Sequence, residues 1–415
     1  MGPRHGPPAR RKPWEERAAR VLREIAAQVA RAEPARLALA DGAAGMAVFL
    51  AYYGAAEGDE RAGARAGELL ESACARSAEG PTPPDLFRGL SGVAWAAEHL
   101  TGGGEDEGDD EDDPNDGVDR SLAEILGRPR WQGPFDLVSG LCGIAVYALE
   151  RLPRPVAVTC LEHVVRHLEQ LSEPVGAGLT WRTAPEHLPS AQRELTPAGH
   201  YNLGLAHGVP GVVATLARAV AAGVAEARAA RLLGGGVRWL LDHQLRREDA
   251  RYPPWIPASG PAPAEPTRTA WCYGDLSVAS ALLAAARASH EPAWEREAVG
   301  LARGAARRSA DQTGVVDAGL CHGAFGLAHV FSRLSGATGD EELARAASAW
   351  IERGLAIRAP GRGVAGYAAH RGEAPPVADP GFLEGASGIG LALLSALTDV
   401  EPAWDAVLLI DCDPA

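Results

Sequence analysis

The sequence predicts an all-α chain, an α/α toroid in which seven inner helices are ringed by seven outer ones. Three observations carry this. Alanine and leucine, the strongest helix formers, dominate a 415-residue chain with only 6% aromatic residues. A glycine, two residues, a second small residue and an apolar helical stretch recur seven times. Charged stretches of helical period separate the copies, as in AAGVAEARAARLLGGGVRWLLDHQL (221–245).

Taken in order, the copies are led by Gly42, Gly89, Gly140, Gly208, Gly274, Gly323 and Gly385. Their spacing of roughly 50 to 70 residues leaves room for two helices each. The nearly apolar helix belongs inside and the amphipathic one outside. An open solenoid also uses paired helices, but it has no need of so apolar an inner set. Lacking Cβ, the glycines would let the inner N-termini converge at one end and aim their partial positive charge at a common site. Packing alone is the competing explanation for most of them. In the fifth copy Ser277 replaces the second glycine, which predicts a local backbone adjustment.

Before the first copy, MGPRHGPPARRKPWEERAARVLREIAAQVA reads as a disordered arm and a charged amphipathic helix. Gly6 breaks the myristoylation pattern. The stretch 101–119, TGGGEDEGDDEDDPNDGVD, reads as an acidic, flexible, solvated loop. The stretch 173–203 reads as a small strand-containing insertion, and 252–266 as a Pro-rich surface loop. Residues 1–415 are otherwise taken as one toroid.

The net charge of −14 disfavours nucleic-acid binding through a basic face. Absence of an apolar run of about 18 residues argues against a membrane span, so a cytoplasmic protein is expected. Six cysteines in so long a chain suggest free thiols or metal ligands, and no disulfide framework. Cys74 and Cys160 fall in helical stretches and read as core thiols; Cys142 sits in a repeat turn; Cys412 lies near a C-terminus expected to fray.

Reactive side chains gather at only some turns. Copy three has Asp136, copy four His207, copy five Cys272 and Tyr273, and copy six Cys321 and His322. If the copies ring an axis, equivalent positions converge, and Cys272, Cys321 and His322 can meet. Two thiolates and an imidazole form a zinc set with an open fourth position.

These motifs, GLAHG, RTAWCYG and CHGAFG, with the ending FLEGASGIGLALL, resemble the lanthionine synthetase C-like family over most of the chain. The resemblance implies a stand-alone zinc-dependent cyclase. Such an enzyme adds peptide cysteine thiols to dehydroalanine or dehydrobutyrine and so makes lanthionine thioether rings. It implies Zn2+ on Cys272, Cys321 and His322, with His207, Asp136, Arg268 and Tyr273 as the other site residues. The implied partners are a dehydrated precursor peptide, a lantibiotic dehydratase and a peptide transporter, in a complex that could sit at the membrane. Two other readings stay open at this point. One is a relative that binds or adds a glutathione-type thiol, or a scaffold. The other is a prenyltransferase-like zinc toroid, disfavoured by two cysteines in the set and few aromatics.

Overall fold

Every inner helix opens on a turn that its leading glycine closes. The computed structural model describes residues 12–102, 113–245, 247, 250–260, 266–372 and 374–411. The inner helices are α2 (Ala43–Glu57), α4 (Leu90–Thr101), α6 (Leu141–Glu150), α9 (Val209–Ala221), α11 (Asp275–Ala288), α13 (Ala324–Thr338) and α15 (Ala386–Leu397). None has a side-chain cap. The preceding turn supplies acceptors instead: the Ala43 N–H donates to the Arg36 carbonyl at 2.9 Å and the Leu90 N–H to the Pro83 carbonyl at 2.7 Å. The glycines are small because this turn folds back onto them. At Gly92 an added Cβ would overlap the Leu86 carbonyl oxygen. The close approach is thus to the turn's own carbonyls, which take up first-turn N–H groups that the sequence reading had aimed at a shared site.

The outer helices are α1 (Glu15–Val29), α3 (Glu60–Ser77), α5 (Asp116–Leu126), α7 (Pro155–Leu171), α10 (Glu226–Asp242), α12 (Pro292–Arg307) and α14 (Glu341–Ile357). Conventional caps start some of them. Asp59 accepts from the Arg61 and Ala62 N–H groups, and Asp340 from those of Glu342 and Leu343. Each inner helix packs on the next, and α15 returns to α2, so the ring is closed. The first outer helix completes the closure. α1 packs on α15 and buries Val21, Leu22, Ile25 and Val29, each worth about 1.5–3 kcal/mol when fully buried.

Backbone hydrogen bonds tie the turns into a rim. They run from Ala40 N to Phe87 O (2.8 Å), Val138 N to Ala206 O (3.3 Å) and Ala206 N to Cys272 O (3.5 Å). They continue from Cys272 N to Cys321 O (3.3 Å), Cys321 N to Leu383 O (2.9 Å) and Leu383 N to Ala40 O (2.8 Å). Every residue in this series stands two places before a leading glycine.

Between α7 and α9 lie β1 (Ser172–Val175), β2 (Gly178–Trp181), the short α8 (Ser190–Leu195) and β3 (His200–Asn202). β1 and β2 form an antiparallel hairpin, while β3 pairs with β4 (Trp255–Pro257). The Pro-rich stretch read as a surface loop therefore contributes a strand. A three-residue strand has too little alternation to be seen in sequence.

One further expectation needs correction. The acidic stretch is not solvated at its C-terminal end. Asp119 and Asn115 are buried, and Asp119 bonds the buried Arg151 guanidinium at 2.7 Å and accepts from the Tyr147 hydroxyl at 2.6 Å. A buried guanidinium needs such carboxylates. Residues 103–112, the arm over 1–11 and Cys412 lie outside the described residues. Trp404 and Asp405 are fully buried, and Asp405 meets His329 of α13 at 2.8 Å. Cys142 and Cys160 are buried and Cys74 half-buried.

The turn packing sets a stability contrast. Gly92→Ala should destabilise the protein by about 2 kcal/mol or more, since backbone must move. Gly67→Ala, on the exposed face of α3 with nothing within 4 Å of the new Cβ, should stabilise it by roughly 0.5–1 kcal/mol. Denaturant titration of both variants checks the signs.

Candidate metal centre

The rim register decides which side chains meet. Cys272 and Cys321 occupy the same offset in copies five and six, and the backbone bond between them sets the two turns side by side. His322 follows directly. One ligand atom from each of Cys272, Cys321 and His322 lies within 4.8 Å of the others. Among the described residues this is the one Cys, His, Asp or Glu cluster so placed.

Copy five bends differently from the rest. Gly274 has φ of 91°, in the left-handed region, whereas the other leading glycines are extended. Ser277 is buried there and its hydroxyl donates to the Gly274 carbonyl at 2.8 Å. The expected backbone adjustment therefore falls at Gly274. Gly204 also has to be glycine. A Cβ there would overlap the Cys272 carbonyl oxygen and lie 2.8 Å from the Tyr273 ring.

The set has strong internal electrostatics. Cys272 is pulled down to about 5, chiefly by the hydrogen bond from Cys321, against burial, with help from His322 and the Arg268 charge. Cys321 is pushed well up by its bond to Cys272, by burial and by that neighbour's charge. Burial lowers His322, but its bond to Cys272 and the Asp317 and Cys272 charges outweigh this and lift it to about 9. The donor chemistry suits a soft divalent cation: two sulfurs and one nitrogen, with one thiol drawn well below its ordinary value.

His207 and Asp136 stand one copy away along the rim. Their contact is Nδ1 to Oδ2 at 3.0 Å, and Asp136 Oδ1 accepts from the Ser139 N–H at 2.6 Å. Burial lowers the His207 pKa, but the Asp136 bond and charge, with the Cys272 charge, raise it overall. With Nδ1 bound to the carboxylate, Nε2 is the nitrogen left for chemistry. Tyr273 is raised to about 12, first by burial, so its hydroxyl keeps its proton at neutral pH. Arg268 is exposed, yet its charge reaches all three members of the cluster.

All seven sequence-predicted site residues therefore fall on neighbouring turns, in copies three to six. Two polar neighbours were missed. Asn202 Nδ2 donates to the Tyr273 hydroxyl at 2.8 Å, and its Oδ1 accepts from the Gly204 N–H. Asp317 faces His322. Both stand six places before a leading glycine, the offset that Arg268 also has. That register was the available signal.

The sequence matches the family model described as lanthionine synthetase C-like protein over residues 33–409. No curated protein sequence gives a significant match. Among solved structures the chain is similar to nisin cyclase, at 21% identity and a TM-score of 0.78, over 96% of this chain and 99% of that one. At that identity the likeness establishes the helical toroid.

The His207–Asp136 contact predicts a titration. The His207 ring should titrate above the ordinary histidine value of about 6.5, and Asp136→Asn should move it to lower pH by removing the charge that favours imidazolium. Histidine-selective NMR titration of both proteins checks the direction.

Proposed function

The chain belongs to the lanthionine synthetase C-like family, and on that premise we propose that it is a zinc-dependent peptide cyclase. Its reaction would add a cysteine thiol to a dehydroalanine or dehydrobutyrine of the same dehydrated peptide. The observation that carries the reading is the convergence of Cys272, Cys321 and His322 within 4.8 Å, beside the His207–Asp136 pair on one rim. No helix among the described residues is long and apolar enough to cross a membrane.

Zinc held by Cys272, Cys321 and His322 would stabilise a substrate thiolate at neutral pH. The residues around it divide the remaining work. His207 Nε2 accepts the thiol proton, while Asp136 holds the ring and favours the imidazolium that results. As sulfur bonds the β-carbon, the alkene π pair moves towards the carbonyl and negative charge develops on its oxygen. Arg268 stabilises that charge. Tyr273 accepts from Asn202, so its own hydroxyl hydrogen is available to the same oxygen. A proton returned to the α-carbon, from His207 directly or from Tyr273 with His207 then reprotonating the tyrosinate, completes an addition that leaves the mass unchanged. Asn202 closes β3, so the strand-bearing extension over 173–203 feeds directly into the site.

Three measurements test this. A dehydrated, cysteine-containing peptide should keep its mass on incubation but lose alkylatable thiol. Addition of free glutathione with no ring closure would replace the cyclase reading. Cys272→Ala should lose zinc and activity together, whereas His207→Ala should keep zinc and lose about 10²–10⁴-fold in rate.

Zinc uptake should also depend on pH. With Cys272 down to about 5, Cys321 raised and His322 at about 9, the last two hold their protons at pH 7. Binding there should release about two protons, and affinity should rise with pH through neutrality. Calorimetry in buffers of different ionisation enthalpy counts the protons.

A further inference from the structure

We propose that Asp317 is a positioning residue for the metal centre: together with the His370 carbonyl it holds the Nε2–H of His322, so that Nδ1 is the nitrogen offered to the metal. The inference rests on the zinc reading above.

Asp317 is fixed and dry. It lies six places before Gly323, its carbonyl accepts from the Ala324 N–H at 2.9 Å, and the residue is 2% exposed. Its Oδ2 stands 3.5 Å from His322 Nε2 and 3.3 Å from the His370 N–H. Its Oδ1 has no hydrogen-bond partner among the described residues. A buried carboxylate so poorly satisfied is costly unless a cationic group faces it. The neighbouring guanidinium of Arg371 is engaged elsewhere, with Asp379 and with Glu384 at 2.9 Å. The imidazole of His322 is the group in front of it.

The surroundings of Nε2 settle the tautomer. The His370 carbonyl oxygen is 3.3 Å away and Asp317 Oδ2 is 3.5 Å away. Two acceptors, and no donor among the described residues, call for a proton on Nε2, which leaves the Nδ1 lone pair for the thiol side. A metal held through Nδ1 would make Nε2–H a stronger donor and place positive charge on the ring, and the Asp317 carboxylate would offset that charge and accept from Nε2–H. Asp317 belongs to no ligand set itself. Next to His370, Arg371 is tied to Asp379 and Glu384 of the seventh turn.

The test compares wild type, Asp317→Ala and Asp317→Asn for zinc affinity, by competition with a chromophoric chelator. The absorption of the cobalt-loaded proteins is recorded alongside. Asp317→Ala should bind zinc about 10–100-fold more weakly and shift the cobalt bands. Asp317→Asn, whose amide oxygen still accepts, should recover part of the affinity. If Asp317→Ala fails to fold, the near-isosteric Asp317→Asn is read alone, with a several-fold loss expected. Wild-type affinity and an unchanged cobalt spectrum in a folded variant would overturn the role, as would an equal loss of thermal stability with and without zinc at unchanged affinity. Wild-type protein that takes up no zinc would refute the metal reading itself, and the positioning role with it.

Discussion

The structure depends on backbone bonding between turns at one end of the toroid. Six bonds between residues at one offset join copies one to two, three to four, and four round to one again. Each bond costs little to form because a buried N–H or carbonyl must find a partner anyway. Their joint effect is positional. Any side chain at a fixed offset from a leading glycine is placed on one circle, whatever its distance in sequence. Cys272 and Cys321 are 49 residues apart in the chain, yet they are nearest neighbours on that circle.

Glycine makes the rim possible. The turn before each inner helix folds back so tightly that its carbonyls lie where a side chain would start. The second glycine of a copy also meets the preceding copy. A Cβ at Gly45 would lie 2.6 Å from Phe382 Cβ, one at Gly143 2.8 Å from Leu86 Cβ, and one at Gly388 2.7 Å from the Leu320 side chain. The same residue type therefore satisfies the turn and seats one copy against the next. Below the rim, inner helices such as α2, buried continuously from Ala43 to Leu50, exclude water. Charges at the rim consequently interact strongly, and the bond between the two thiols draws Cys272 down while it pushes Cys321 up.

Much of this was legible in the sequence because a repeat announces itself locally. The seven glycines, the apolar and amphipathic alternation and the chemistry of copies three to six can each be read within a short window. What stayed hidden depends on partners far away in the chain. Asp119 looks like part of a solvated acidic run until Arg151 of copy three claims it. Trp255–Pro257 looks like loop until β3 pairs with it. Nothing near Asp405 in the chain shows that His329 of α13 will bond it. Asn202 and Asp317 were a different case. Both lie in the repeat, but upstream of the glycine at which each copy was taken to begin.

Extending the frame upstream explains the pairing at the site. Four places before its leading glycine, copy four has Gly204, copy six Gly319 and copy seven Gly381. Each abuts the residue directly before the next leading glycine. Gly204 meets Tyr273, a Cβ at Gly319 would lie 2.7 Å from the Glu384 carbonyl oxygen, and one at Gly381 2.5 Å from Asp41 Cα. Small residues are needed there because the neighbouring turn presses in. At the junction of copies three and four the same two offsets carry Asp136 and His207, and they are in contact at 3.0 Å. The carboxylate–histidine pair is therefore no accident of loop conformation. It is the ordinary contact between successive turns, with a carboxylate in the place that glycine takes elsewhere. For His207 the ring thus specifies the partner: the residue four before the previous leading glycine, Asp136.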